Sequence, residues 1–441
     1  MIAILQNVWW LLVLIGVMIL IHELGHYWAA RFFDVRVEAF SFGFGPRLFG
    51  FRKGETDFRF SAILFGGYVK MSGEQPGEDT TNDPRAFSSK PRWQRLIIAF
   101  AGPAMNIILA VGLLTGLFMV RFPRVANFDA PATIGYIEKG SAAEKAGLRE
   151  GDRIAQIDGQ VNPIWEDVAL KELASAKKPI TVGYVRDGQR YVTTVTPVLD
   201  EKTGVGNAGW DQQNDVEIAG VKQGSGAEKG GLKAGDEVVS VNGVPIHSTF
   251  RLHDQIRNSD GKPVQLVFHR NGHEMTTSVT PALAPDVDGT QRYMIGVELA
   301  RRVVITKLSF PEALRESVRQ NVKSATLIYQ FLSGIVERRM SPKSLEGPIR
   351  IAQLSGEAAR EGPTAFFGLM TMVSLNLAIF NLLPIPILDG GLILMLLIEM
   401  FMRRDLSLQV KEAILKVGMV FLMMVVVFVL YNDISKILPA G

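Results

Sequence analysis

The sequence predicts a membrane protein in which a bundle of four transmembrane helices is joined to two tandem globular domains of mixed α and β structure. Three observations support this fold class. Four long apolar segments alternate with charged stretches, the block at 137–197 recurs at 221–281, and ionisable residues at 22–26 lie where the first apolar segment ends. The net charge of +3 is small and evenly spread, so no nucleic-acid partner is expected.

The four apolar segments are long enough to cross a lipid bilayer. They comprise residues 8–21, 96–120, 366–383 and 417–430, and each approaches or reaches the ~20 residues that span ~30 Å of hydrocarbon if the first continues to about residue 33. A cleaved signal peptide is the alternative for the first segment, but it requires a basic start and no Lys or Arg precedes residue 31. The predicted order is a first transmembrane helix (1–33), a loop (34–95), a second helix (96–120), two globular domains (127–211 and 212–300), amphipathic connecting helices (301–364), a third transmembrane region (365–398), a connector (399–415) and a fourth helix (416–435).

The distribution of basic residues predicts the orientation in the membrane. Eleven Lys and Arg residues lie between the first two spans, and none lies before the first span. The positive-inside rule therefore places residues 31–95 in the cytoplasm, and both termini and the two globular domains outside. Because the chain has no cysteine, the outer domains must be stable without disulfides.

The two globular domains are related by a constant offset of 84 residues. The first contains GSAAEKAGLREGDRIAQIDG and the second contains GSGAEKGGLKAGDEVVSVNG. Two units of this length indicate tandem domains and not a solenoid. In the first copy we predict a short helix at 142–146 that ends at Gly147 in the left-handed conformation, followed by a strand at 153–157. The shared pattern resembles that of PDZ domains.

The resemblance to PDZ domains implies circularly permuted domains whose grooves accept peptide termini as an added strand. The carboxylate-binding loops would then contain Gly209 in the first domain and Gly296 in the second. The open alternative is that both domains are spacers or lids, which bind no peptide and only exclude bulky substrates. PDZ domains outside an inner membrane would lie in a bacterial periplasm.

The segment HELGH at residues 22–26 predicts a metal site. On a helix, His22 and His26 occupy positions i and i+4 on one face, ~5–6 Å apart. Both imidazoles can then bind one zinc ion, with Glu23 beside the bound water. Ionisable side chains inside a membrane span cost about 2.5–3.5 kcal/mol each, which favours a functional role. The alternative is that these residues only snorkel to the membrane interface.

A third zinc ligand is predicted after the third apolar segment, because catalytic zinc sites commonly have three protein ligands and one open position. Asp389 is the one acidic residue in the continuation of that segment, and the remaining histidines all lie at 247–273. Pro384 and Pro386 break the helix ahead of it, which membrane proteins tolerate where the backbone lines a cavity. Asp389 can also serve as the N-cap of the next helix.

Three features together resemble the site-2 protease family: HELGH in the first span, PDZ-like domains after the second, and NLLPIPILDGG at 381–391. The resemblance covers essentially the whole chain. It implies zinc held by His22, His26 and Asp389, Glu23 as the general base, and Asn381 in contact with the substrate backbone.

Two further segments extend this resemblance. The stretch FRFSAILFGGYVKM at 58–71 resembles the membrane-reentrant β-hairpin of the family, and Phe65, Gly66, Gly67 and Tyr68 at its break are predicted to contact an extended substrate strand. The alternative is an ordinary cytoplasmic hairpin. The motif GPAMN at 102–106 implies close helix packing and a polar contact.

The predicted function is an intramembrane zinc endopeptidase that cuts single-span membrane proteins in the lipid bilayer after their ectodomains have been removed. By resemblance, the substrates include an anti-sigma factor of an envelope stress response and spent signal peptides. Two alternatives from other classes are a membrane-anchored PDZ scaffold without catalysis and a metal transporter. The scaffold leaves the ionisable cluster unexplained, and the transporter needs ligands spread along a path through the spans.

Overall fold

The computed structural model describes residues 2–74, 83–120, 122–125, 130–201, 203–285, 291–301, 303–342 and 346–437. Its contacts divide the chain into two compact units. Residues 1–122, 307–328 and 345–441 form the membrane unit, and residues 123–306 and 329–344 form the PDZ unit.

The described part contains helices throughout the membrane unit and mostly strands in the PDZ unit. The α-helices are α1 (Ile2–Phe32), α2 (Arg92–Val120), α3 (Ala142–Lys145), α4 (Trp165–Ala174), α5 (Gly226–Lys229), α6 (Thr249–Arg257), α7 (Phe310–Val336), α8 (Pro348–Glu361), α9 (Pro363–Asn381), α10 (Asp389–Met402) and α11 (Leu408–Ile437). The strands are β1 (Val37–Lys53), β2 (Thr56–Met71), β3 (Phe122–Val125), β4 (Ile134–Ile137), β5 (Arg153–Ile157), β6 (Gln160–Val161), β7 (Ile180–Arg186), β8 (Gln189–Val195), β9 (Val198–Leu199), β10 (Gly206–Asn207), β11 (Trp210–Gln212), β12 (Val216–Val221), β13 (Glu237–Val241), β14 (Val244–Pro245), β15 (Val264–Arg270), β16 (His273–Val279), β17 (Ala282–Pro285), β18 (Gln291–Met294), β19 (Val297–Arg301) and β20 (Val303–Thr306).

Four helices of the described part are long and apolar enough to cross a membrane, and they are the four spans that the sequence predicts. They are Ile4–Phe32 of α1, α2, α9 and Leu408–Ser435 of α11. Helix α9 ends at Asn381, shortly before Pro384 and Pro386, because proline has no backbone N–H to continue the helical hydrogen bonds. The chain resumes as α10 at Asp389.

The membrane unit is built around α1. Leu14 and Met18 of this helix form a buried cluster with Phe366 and Met370 of α9. On another part of α1, Gly25 lies so close to a backbone carbonyl of α2 that a Cβ would not fit there. Small residues at helix contacts allow this close backbone approach in membranes. The HELGH segment is therefore held against α2.

Buried carboxylates join helix ends in the same unit. Asp433 of α11 accepts hydrogen bonds from the backbone N–H groups of Gly347 (2.9 Å) and Ile349 (3.0 Å), and so caps the N-terminus of α8. Glu399 at the end of α10 is 1% exposed and pairs with Lys411 of α11 at 2.8 Å. Buried acids of this kind are stable when they are paired or hydrogen-bonded.

The loop between the first two spans contains a sheet made from two long strands, β1 and β2. Residues 39–42 of β1 pair with 67–70 on one side and with 57–60 on the other. Among the described residues, the end of β2 is therefore an edge of this sheet. The predicted strand character of 58–71 is confirmed, but the whole segment belongs to one strand whose partner is residues 37–53, which the sequence analysis does not identify.

The PDZ unit contains the two predicted copies of one α+β domain. In the first, the strand order is β6-β5-β7-β8, and in the second it is β16-β15-β13-β12-β19 with β14 beside β13. Each domain ends in a strand that pairs with its own first strand, β11 with β4 and β19 with β12. This is the circularly permuted arrangement predicted for these domains.

Repeated residues have repeated structural roles in the two domains. Asp152 is 1% exposed and binds Arg186 through two hydrogen bonds of 2.7 Å, and Asp236 binds Arg270 with the same distances. The predicted short helix is α3, the predicted strand is β5, and Gly147 has a φ of +81° as expected for a helix end.

Candidate metal centre

Three side chains from distant parts of the sequence meet inside the membrane unit. His22 and His26 come from α1, and Asp389 comes from the first turn of α10. Nε2 of His22 lies 3.1 Å from Asp389 Oδ2, Nε2 of His26 lies 3.4 Å from Asp389 Oδ1, and the two Nε2 atoms are 3.2 Å apart. Ligands at ~2.0–2.2 Å from a tetrahedral zinc ion are separated by about 3.3–3.5 Å. The three atoms therefore have the spacing of zinc ligands.

The chemistry of these atoms also fits a cation. Both histidines are buried, and Asp389 is about one-fifth exposed. The contact between His22 and Asp389 Oδ2 lacks hydrogen-bond geometry, so this buried oxygen accepts no hydrogen bond from the described residues. Asp389 is not the N-cap of α10, because Leu388 holds that position. Its carboxylate is thus available as a ligand.

The second nitrogen of each imidazole fixes the ring. Nδ1 of His26 lies 2.8 Å from the backbone carbonyl oxygen of Ile98, to which it can donate, so Nε2 is left to bind metal. Nδ1 of His22 lies 3.3 Å from the side-chain amide of Asn106, a fully buried residue in α2. Hydrogen bonds to the non-ligating nitrogen set the tautomer and orientation of metal-binding histidines.

Asn106 belongs to the GPAMN motif, whose predicted polar contact is now identified. As placed, its Nδ2 faces His22 and its buried Oδ1 has no partner among the described residues. The two ends of a carboxamide have nearly the same shape. With Oδ1 turned toward Nδ1, Asn106 accepts a hydrogen bond from the Nδ1–H group of His22, so its oxygen gains a partner and Nε2 of His22 is left unprotonated for metal.

We predict that Asn106→Leu lowers zinc affinity by about 10–100-fold, the usual effect of removing such a supporting hydrogen bond. Asn106→Asp is the matched control, because its carboxylate can still accept a hydrogen bond from the Nδ1–H group of His22. This variant should bind zinc more tightly than the leucine variant. Zinc affinity is measured by competition with a chromophoric chelator in detergent. Equal affinities of the wild type and the leucine variant would contradict the assignment.

The three candidate metal ligands line a cavity of about 360 Å³, and several predicted substrate-binding residues line the same cavity. Asn381, Gly67 and Tyr68 line it, as does Glu23, to which the backbone N–H of Val69 donates a hydrogen bond. An added Cβ on Gly67 would lie 3.3 Å from Cγ of Glu23, so the strand edge is in contact with the predicted base.

The other two residues predicted at the strand break have different outcomes. Gly66 has a φ of +135°, and its Cα faces the ring of Phe44, where no Cβ would fit. It therefore allows the bend in β2 and does not line the cavity. The side chain of Phe65 lies outside the described part of the structure.

Some cavity residues were missed by sequence reasoning. Phe44 and Glu74 line the cavity, and Gly102 lies against both imidazoles. Glu74 lies three residues after the end of β2 and had no motif to identify it. Phe44 lies in β1, which the sequence analysis did not predict as a strand. Gly102 was in a recognised motif, but only the folded chain shows which atoms it contacts.

Gly209 and Gly296, which are predicted to lie in the PDZ loops, have the same conformation in the two domains. Gly209 and Gly296 have φ values of +77° and +79°, and a Cβ on either would clash with Ser141 or Ser225, respectively. The left-handed conformation and the close contact both require glycine.

Comparison with known proteins identifies the family. Residues 10–425 match the model of peptidase family M50. One relative, named regulator of sigma-E protease RseP in Salmonella typhimurium strain 14028s, is 30% identical, and the alignment covers 99% of this chain and 100% of that relative. The protein of the same name in Escherichia coli K12 is 29% identical, and the alignment covers 97% of this chain and 98% of that protein. A protein of Xylella fastidiosa strain Temecula1, provisionally named a zinc metalloprotease, is 32% identical, and the alignment covers 98% of this chain and 99% of that protein. Among solved structures, a PDZ domain of an SdrC-like protein from Listeria monocytogenes matches 20% of this chain and 92% of its own with 23% identity and a TM-score of 0.18.

The family match covers the helices that carry the candidate metal ligands as well as the repeated domains between them. It confirms the family predicted from HELGH, the PDZ-like repeat and NLLPIPILDGG. It also confirms that the protein is an enzyme of the metalloprotease class. The chain belongs to peptidase family M50.

Proposed function

We propose that this protein is an intramembrane zinc endopeptidase, which hydrolyses a peptide bond within the transmembrane segment of a single-span membrane protein. One observation carries the proposal. His22, His26 and Asp389 converge beside Glu23 in a cavity that is lined in part by helices apolar enough to cross a membrane. A peptidase with its metal ligands at this position acts on peptide bonds in the bilayer.

The metal that fits these ligands is zinc, which two imidazoles and one carboxylate bind with a fourth position open. When bound, zinc supplies a Lewis acid that polarises the scissile carbonyl and acidifies water. The protein holds His26 through the Ile98 carbonyl and His22 through Asn106. These contacts keep both Nε2 atoms directed at the same point.

Glu23 is the proposed general base. It follows His22 on α1, lines the same cavity and is positioned by the backbone N–H of Val69. A carboxylate at this place accepts a proton from the attacking water and delivers it to the leaving amine. One carboxylate oxygen can keep the Val69 hydrogen bond while the other exchanges the proton.

The substrate must unwind before it can be cut, because a transmembrane helix hides its carbonyl groups in its own hydrogen bonds. The edge of β2 at 67–71 lies against Glu23 and can pair with an extended substrate strand. Asn381 lines the same cavity and can offer a carboxamide to the substrate backbone. Together these groups can satisfy the backbone that unwinding exposes.

The proposed location is the bacterial inner membrane. The eleven basic residues between the first two spans support a cytoplasmic position for that loop, and therefore a periplasmic position for the PDZ unit and both termini. The metal centre then lies toward the cytoplasmic side. Relatives named regulators of sigma-E protease support an anti-sigma factor as substrate, after its ectodomain has been removed. Spent signal peptides share the single-span form.

The scaffold and transporter alternatives are not favoured. The chain belongs to a peptidase family, which a scaffold without catalysis does not explain. Among the described residues, the metal-binding group forms one cluster and not a path through the spans.

The experiment uses the full chain in nanodiscs with a single-span substrate that carries a short ectodomain and a tag at each end. We expect cleavage within the apolar segment, loss of cleavage after treatment with a zinc chelator, and recovery when zinc is added back. Mass spectrometry of the products locates the cut. Cleavage outside the apolar segment, or cleavage that the chelator leaves unchanged, would contradict the proposal.

A further inference from the structure

The chain makes a tight β-turn directly before Asp389, the candidate metal ligand at the start of α10. The backbone N–H of Leu388 donates to the carbonyl oxygen of Ile385 at 3.1 Å, and Pro386 and Ile387 are the two central residues of the turn. Leu388, the last residue of the turn, is also the N-cap of α10, so Asp389 follows without a spacer. A rotation within the turn therefore displaces the carboxylate that faces both imidazoles.

Ile387 has an unfavourable backbone conformation in this turn. Its φ is +86°, and it is the one β-branched residue with a positive φ among the described residues. Proline at the first central position and a positive φ at the second are typical of a type II turn, in which the second position is normally glycine. A β-branched side chain is strongly disfavoured there. Such a conformation persists only where the surrounding structure imposes it.

The start of α10 lies directly against this turn. A Cβ added to Gly391 would overlap the carbonyl group of Ile385 and would lie 2.8 Å from Cα of Pro386. A Cβ added to Gly390 would overlap the carbonyl oxygen of Leu383. The two glycines therefore allow the backbone before α10 to pack on the backbone of the helix itself.

Helix α11, which supplies none of the three candidate ligands, contacts the same turn through Gly418. A Cβ added to Gly418 would overlap Cβ of Pro386 and would lie 2.7 Å from its carbonyl oxygen. Residues 408–431 of α11 are all described, and Gly418 is the one buried residue among them. The close packing of this long stretch of α11 is therefore concentrated on the peptide unit that joins Pro386 to Ile387.

We propose that Gly418 and Ile387 are positioning residues of the metal centre. The close contact of α11 with Pro386 holds the turn in its left-handed conformation at Ile387, and this conformation directs Asp389 toward the two histidines. Without the contact, Ile387 relaxes to a negative φ, a rotation of about 150°, and the carboxylate leaves the ligand cluster. The inference rests on Asp389 as a metal ligand, and thus on the proposed function, and it adds a helix outside the ligand set to the site.

The identity of residue 387 determines how strongly the ligand depends on α11. A glycine there would adopt the turn with or without the contact, because glycine populates positive φ readily. Isoleucine adopts it only while its neighbours impose it. The position of Asp389 is therefore coupled to the packing of α11, and this coupling can be measured by exchanging Ile387 and Gly418 together.

The first experiment measures the zinc affinity of the full-length chain in detergent by competition with a chromophoric chelator, without substrate. Gly418→Ala places a methyl group against Pro386 and should lower zinc affinity at least about tenfold, because overpacking of a tight contact shifts the backbone. Val420→Ile is the matched control, since it adds one methyl group to the same helix at a residue that is 60% exposed. This control should bind zinc as tightly as the wild type.

A second pair of variants tests the conformation of residue 387. Ile387→Gly and Ile387→Ala remove nearly the same side chain, but only glycine adopts a positive φ without strain. In the metal-free protein the glycine variant should unfold about 2–4 °C above the alanine variant. Combined with Gly418→Ala, Ile387→Gly should restore zinc affinity at least about fivefold, and Ile387→Ala should restore less.

Three results would overturn the inference and leave the metal centre intact. Wild-type zinc affinity in a folded Gly418→Ala variant would show that α11 does not hold the turn. Equal unfolding temperatures of the two variants at Ile387 would show that the turn is not strained, and equal rescue by both would show that φ does not couple α11 to the ligand. If Gly418→Ala does not fold, the unfolding temperatures of the metal-free variants at Ile387 still decide. A wild type that binds no zinc would instead reject the metal centre and the proposed function with it.

Discussion

Replacing Glu23 by glutamine is expected to lower hydrolysis by about 10²–10⁴-fold, the contribution of a general base, while zinc remains bound. Glutamine keeps the size of the side chain and can accept the hydrogen bond from Val69, but it cannot take a proton from water. The three proposed metal ligands are unchanged. Cleavage of the tagged single-span substrate is measured in nanodiscs together with the zinc content of the same sample.

Glu74→Gln is the matched control for Glu23→Gln. Glu74 lines the same cavity, but it is held by the backbone N–H of Met71 at 3.2 Å. We expect this variant to keep its activity within a few-fold. If Glu23→Gln cleaves as fast as the wild type, Glu23 is not the base. If instead Glu74→Gln loses as much activity as expected for Glu23→Gln, the proton acceptor must be assigned to the strand end.

The metal centre illustrates which parts of the site can be predicted from sequence. His22, Glu23 and His26 follow from a local rule, since a helix places residues i and i+4 on one face. Asp389 lies more than 360 residues away along the chain, and it could be proposed because buried acids in apolar segments are rare. The role of Asn106 could not be derived, because a polar residue in a membrane helix does not indicate which atom it faces.

The sheet beside the site shows a different limit. Strand character at 58–71 was recognisable, but its partner at 37–53 contains glycines and a proline that usually interrupt strands. Strand formation depends on the neighbours that the folded chain supplies. In this protein β1 is paired on two sides by segments of β2, and this pairing overrides its weak intrinsic preference.

The PDZ unit shows that a sequence repeat can be recognised while the contacts of individual residues cannot. The repeat predicted two equivalent domains, and their shared ion pairs and loop glycines confirm this. One difference between the two domains is the aligned pair Glu172 and Ile256, which sequence comparison alone treats as an ordinary substitution. Only the folded chain shows that Glu172 accepts a hydrogen bond from the backbone N–H of Ala208.

Replacing Gly102 by alanine is expected to disrupt the metal centre from the opposing helix. A Cβ at this position of α2 would lie closer than 3.0 Å to Nε2 of both His22 and His26, the two atoms proposed to bind metal. The imidazoles cannot move away freely from the added methyl group, because His26 is hydrogen-bonded to the carbonyl of Ile98 and His22 to Asn106. A displacement of about 1 Å at a reacting centre costs about 10²-fold in rate. We expect at least this loss of cleavage, together with reduced zinc content.

Gly112→Ala provides the control within the same helix, because a Cβ at Gly112 meets nothing within 4 Å. Both variants add one methyl group to α2 and both raise its helix propensity, so they differ only in what the methyl group touches. Zinc content and cleavage of the Gly112 variant should equal those of the wild type. If Gly102→Ala behaves like Gly112→Ala in both measurements, the imidazoles can accommodate the added methyl group. In that case α2 does not fix the position of the proposed metal ligands.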